Sequence, residues 1–182
     1  MAFQDIHHLG AAFVEALFFL VPRNDALFGS IEFSSEIVAA VADDGFVEGS
    51  QAEHVAAAAM NFLANADAII FDLRQNGGGS PEMIRFLTSY LFEQKTHLND
   101  MVNRDGKVVE EYWTFDSVPG DRPSPDVAVY VLTSKRTFSG AEEFSYNLQN
   151  LKRATIVGET TGGGAHPVRM EPVTDRIAIG VP

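Results

Sequence analysis

Three short apolar runs, each closed by a loop rich in glycine or serine, constrain this chain more than any other feature. They are IIFDL (69–73) before NGGGS, VAVYVL (127–132) before the turn that ends TFSG, and TIVGE (155–159) before TTGGGAHP. Runs of this length, rich in β-branched and aromatic residues, suit strands buried on both faces. Helical spacing lies between them: Met83, Ile84, Leu87, Tyr90 and Leu91 fall on one face, and so do Ala141, Phe144, Leu148 and Leu151. Strands alternating with helices predict an α/β layered fold with a mostly parallel sheet. In such sheets a ligand lies beyond the carboxyl ends of the strands, where all three loops emerge.

The middle run carries the sharpest chemical expectation. After VAVYVL a polar turn leads to Ser139-Gly140, which opens a helix whose polar side is read as Glu142, Glu143, Asn147 and Lys152. A serine at a strand-to-helix switch has its hydroxyl beside unpaired backbone N–H groups at the positive end of the helix. A nucleophile can be held there and a developing oxyanion stabilised. Ser139-Gly-Ala-Glu142 is also a capping box, in which hydroxyl and carboxylate each satisfy a backbone donor. Gly77, Gly78 and Gly79 allow close backbone approach and inward-turned N–H groups, although a plain flexible turn has the same composition. A phosphate-cradling loop fails on detail, since no Lys-Ser/Thr follows the glycines and GxGxxG is absent.

At 182 residues with 46% hydrophobic content, the chain supports one core, or one and a small appendage. Its net charge of −12 argues against nucleic acid or an anionic membrane surface as partner. With no cysteine there is no thiol nucleophile, thiolate zinc site or disulfide. No His/Asp/Glu spacing resembles a metal site, and no cofactor is expected. LGAAFVEALFFLV (9–21) is broken by Glu15 and lacks a basic leader, so it reads as an amphipathic helix and not a membrane span or signal peptide. Localisation is left open.

The remaining elements follow from local signals. FGSIEF (28–33) suits a short strand, and residues 34–50 carry no clear pattern. Ser50-Gln-Ala-Glu53 spells a second capping box, opening a helix through QAEHVAAAAMNFLANA. Ser80 and Pro81 suit N-cap and first helical position. LNDMVNRDGKVVEEYWTF reads as a hairpin with Asp105-Gly106 at its tip, followed by the proline-rich loop SVPGDRPSPD. RIAIGVP begins a further strand, and a chain stopping there reads as cut short.

LRQNGGG, TFSGAEEF and KRATIVGETTGGGAHP, in this order, resemble the carboxyl-terminal processing (tail-specific) serine peptidases. Closer still, they resemble the peptidase-like module of interphotoreceptor retinoid-binding protein and its tricorn-like relatives. The resemblance covers residues 52–182 almost continuously, including SPEMIRFLTSYLF and the YWTF strand. It implies a peptidase-like core over 51–182 with a ClpP/crotonase-like spiral of ββα units, truncated at its end, and a poorly matched N-terminal helical segment over 1–50. It also implies Ser139 as nucleophile, and an oxyanion hole from Gly77, Gly78 and the Gly140 amide. The substrate would be a peptide or protein. The retinoid-binding relatives suggest the alternative, a lipophilic ligand lined by Phe86, Phe92, Tyr112, Trp113, Phe115 and Phe138. A homo-oligomer covering an open sheet edge is a further expectation, and the relatives are often secreted or periplasmic.

The pattern breaks at the general base. The family lysine, twenty-five residues after the serine, falls on Gly164, and no lysine follows Lys152. A serine hydroxyl without a base is a poor nucleophile at neutral pH. His166, two positions further on the same loop, is the nearest candidate, with His7 or His8 the alternative. His54 and His97 read as surface residues. The acidic orienter of the tricorn-like relatives lies beyond Pro182, which leaves Glu142 and Glu143 as substitutes that also suit a first helical turn.

Overall fold

The computed structural model describes residues 38–42, 45, 46 and 48–181. The proposed N-terminal helix, the FGSIEF strand, His7 and His8 lie outside these residues. Strands β1 (Val38–Ala42), β2 (Ala68–Asp72), β5 (Ala128–Thr133) and β6 (Thr155–Gly158) form one parallel sheet in the order β1-β2-β5-β6. The register is in step throughout: Val38 pairs with Ala68, Ala68 with Ala128, and Tyr130 with Thr155. The three apolar runs are thus strands, as their composition predicts, and they are immediate neighbours. β1 comes from the stretch that carried no pattern.

Each strand-to-strand passage contains one helix: α1 (Ser50–Phe62), α2 (Pro81–Ser89) and α3 (Gly140–Asn150). Alternate residues Ile69, Phe71, Val129 and Val131 face all three helices in one core with Met60, Leu63, Ile84, Leu87, Phe144 and Leu148. Phe144 is fully buried and meets Phe71 edge-on at 5.0 Å. Burying such a side chain contributes about 1.5–3 kcal/mol. The opposite sheet face carries a smaller cluster of Ala68, Ile70 and Leu132.

Helix starts follow the sequence at two places and depart from it at one. Ser80 caps α2, accepting from Met83 N–H at 3.4 Å, with Pro81 behind it. The box expected at Ser50 is not formed. Gly49 takes the N-cap position of α1 at φ 116°, and Ser50 is already helical. A serine rarely adopts that backbone conformation, so the chain enters through glycine and the cap falls one residue early. In α3 the apolar face is as read, but its polar side is not all solvated: Glu142 and Asn147 are buried.

Strands β3 (His97–Val102) and β4 (Val108–Trp113) form the expected antiparallel hairpin, with Gly106 at φ 75° in its tip. A second hairpin joins β7 (Arg169–Thr174) to β8 (Ile177–Val181); the sequence suggested only its latter strand. The proline-rich loop before β5 is tied down by Tyr90 Oη, which donates to the Pro119 carbonyl at 2.7 Å. No helix among the described residues is long and apolar enough to cross a membrane.

Candidate active site

Because β2, β5 and β6 are adjacent and parallel, the loops leaving their carboxyl ends meet. Hydrogen bonds stitch them. Thr137 Oγ1, fully buried, donates to the Leu73 carbonyl at 2.7 Å, and Ser134 Oγ donates to the Arg74 carbonyl at 2.6 Å. Phe138 N–H reaches the Asn76 carbonyl at 3.1 Å, and Gly162 N–H reaches the Thr137 carbonyl at 2.9 Å. On the β2 side Arg74 folds back onto Asp72, its Nε donating to Oδ1 at 2.8 Å. Burial would raise the Asp72 pKa, but the hydrogen bonds and charge of Arg74 outweigh it and hold the carboxyl low.

At the centre of this cluster stands Ser139, with φ 52° and ψ −122°. A side chain other than glycine in that region costs about 1–3 kcal/mol and persists only where its surroundings enforce it. A sharp strand-to-helix turn of this kind is also where serine nucleophiles are presented on α/β folds. The crowding is visible at Gly78, itself at φ 107°. A Cβ there would lie 2.7 Å from Ser139 Cβ and 2.8 Å from the Gly140 nitrogen. Glycine at 78 is therefore a steric condition for the turn.

The three expected oxyanion glycines differ in their state. Gly140 opens α3 beside Ser139. Gly77 is exposed, with open space where a side chain would stand. Gly78 is buried, and its N–H donates to Asn76 Oδ1 at 2.8 Å, so its use as an oxyanion donor requires that bond to be exchanged. His166 is exposed on the glycine loop, and no hydrogen bond joins it to Ser139 among the described residues. His54 is exposed, as expected. His97 is half-buried, paired to Asp100 at 2.6 Å and packed at a tilt 4.8 Å from the Trp113 ring.

The residue that sequence reasoning undervalued is Glu142. It is 7% exposed, and its carboxylate accepts the N–H groups of Ser139 (2.8 Å), Gly163 (2.6 Å) and Gly164 (2.7 Å). Burial alone would raise its pKa. The Thr161 hydroxyl and the Gly164, Gly163 and Ser139 amides outweigh that and lower it. The capping-box spacing signalled only the bond to Ser139. Glu143 behaves oppositely: burial raises its pKa against one opposing donor, Asn99 Nδ2 at 3.1 Å.

Gly164, where the resemblance led to the expectation of a lysine, packs under Phe138. A Cβ there would overlap the Phe138 ring. Phe138 keeps 45% of its surface exposed beside the serine. Of the other aromatics considered for a lipophilic pocket, Phe86 is buried against Tyr90 at 5.5 Å and Phe92 and Phe115 lean on the same core cluster, while Tyr112 and Trp113 lie on β4 outside it.

The chain is thus a parallel α/β layer with a strained serine where its strand-end loops meet. The family model for Peptidase family S41 matches residues 36–182, and the chain belongs to that family. Among solved structures, the photosystem II D1 C-terminal processing protease is 21% identical with a TM-score of 0.62, over 76% of this chain and 34% of that one. Mature CPAF is 18% identical at 0.56, over 76% and 40%. A lipoprotein from Streptococcus agalactiae is 21% identical at 0.58, over 82% and 56%. The chain thus spans between a third and somewhat over half of the length of these structures.

Proposed function

We propose that this chain is the catalytic core of a serine-type peptidase of the tail-processing kind, acting on a peptide or protein. The observation that carries the reading is the strained backbone of Ser139 at the meeting point of three strand-end loops. In the proposed reaction Ser139 Oγ bonds to the scissile carbonyl carbon and gives its proton to a base. The resulting oxyanion is held by backbone N–H groups of Gly140 and Gly77, with Gly78 joining if it releases Asn76. The C–N bond then breaks as the amine leaves with the proton, and water completes hydrolysis of the acyl-enzyme. One oxyanion donor contributes about 2.7–4 kcal/mol to such a barrier.

The base in this proposal is an imidazole, from His166 or from His7 or His8, because no lysine follows Lys152. That same lack supports the finer placement near the retinoid-binding and tricorn-like branch. We extend the proposal to a ClpP/crotonase-type spiral, supported by the parallel layer with its three helices on one side, and to a division between residues 1–50 and a core over 51–182.

The test is a fluorophosphonate probe on the parent and on Ser139→Ala. We expect a stable adduct on the parent, with fluoride displaced by Oγ, and none on the variant. A parent that stays unlabelled overturns the hydrolase reading and leaves the lipophilic carrier, which a retinol fluorescence titration then tests.

A further inference from the structure

We propose that Glu142 is the positioning residue of this site, its carboxylate fastening the 161–164 glycine loop onto the turn that strains Ser139. The inference deepens the peptidase reading and rests on it for its catalytic meaning. Two observations converge. A single buried carboxylate accepts one N–H from the nucleophile turn and two from a loop more than twenty residues further on. Charge-assisted bonds from backbone N–H groups to a carboxylate are roughly twice as strong as neutral ones, so this is a firm tether. The same loop is also fitted against Phe138. Gly162 and Gly164 lie against the Phe138 ring so closely that a Cβ at either position would clash with it.

Phe138 and Glu142 therefore grip the same loop from the two sides of Ser139 in sequence, one by ring contact and one by hydrogen bonds. The physical consequence is order. A loop of consecutive glycines loses more conformational freedom on ordering than any other sequence, and unaided it would sample many states. Here its amides are held against the serine turn. Whatever the loop carries past residue 164, His166 included, starts from a fixed anchor. The strain at Ser139 also finds a compensating interaction, because its own N–H is one of the three donors.

The experiment uses the whole chain as parent, Glu142→Gln and Glu142→Asp. Amide exchange of Gly163 and Gly164 is followed by NMR, fluorophosphonate labelling is timed, and circular dichroism with thermal unfolding controls for the fold. In Glu142→Gln we expect both amides to exchange at least about tenfold faster. Labelling should slow about 100-fold, the scale on which small misplacements act. Glu142→Asp, which keeps the charge on a shorter arm, should recover part of both. Amides as protected in Glu142→Gln as in the parent overturn the proposal. If Glu142→Gln does not fold, acidifying the parent serves instead: the Ser139, Gly163 and Gly164 amide signals must move together with one midpoint, and independent movement overturns it. An unlabelled parent whose loop amides still depend on residue 142 sinks the nucleophile reading but supports the tether. A labelled parent whose amides ignore residue 142 does the reverse.

Discussion

Gly78 shows how closely the serine turn is packed. Its φ of 107° and the 2.7 Å that would separate an added Cβ from Ser139 Cβ both oppose a side chain. Gly78→Ala should therefore destabilise the fold by about 1–3 kcal/mol, read as a lower midpoint in urea unfolding, and should slow labelling of Ser139. Glu142 supplies a pH signature with a definite sign. Its folded pKa is below its ordinary value of 4.5, so its contribution is fully present above about that pH and fades as pH falls through the lower folded value. The stability gap between parent and Glu142→Gln, measured by denaturant titration, should hold near neutrality and close on acidification. A gap that is constant from pH 7 to about pH 3 would show that the carboxylate's charge is irrelevant.

At the level of elements, α3 is the one on which most depends, because it holds Ser139 at its start and Phe144 in its middle. Phe144 is fully buried, with Phe71 at 5.0 Å and Phe46 at 5.6 Å. Phe144→Ala should cost about 3–5 kcal/mol in a calorimetric or denaturant measurement, the scale for truncating a buried aromatic. The apolar period of α3 and the β-branched runs of β2 and β5 were legible in sequence, since burial leaves a direct mark, whereas β6 showed only through its β-branched composition and is largely exposed. The β3–β4 hairpin was legible through Asp105-Gly106. Other features left no such mark. β1 is short and alanine-rich, and it becomes a strand through pairing with β2. The strain at Ser139 is a property of two angles and leaves no residue signature beyond the neighbouring glycines. The burial of Glu142 depends on a loop twenty residues away, whereas sequence spacing reports only its bond within α3.

Across the whole molecule, the net charge of −12 sets up a negative field around a site built largely from backbone amides. If the chain cleaves peptides, a lysine-bearing substrate should be favoured over its glutamate-bearing counterpart at low ionic strength. Raising salt from about 20 to about 200 mM should shrink that preference in kcat/KM as the charges are screened. A preference indifferent to salt would place recognition in local contacts alone. The ring of Phe138 resting on Gly164 also bears on protein engineering. Introducing an ammonium by Gly164→Lys alone would evict an aromatic lodger before it delivered any proton acceptor. Only a chain with Phe138 already trimmed offers that newcomer a vacancy.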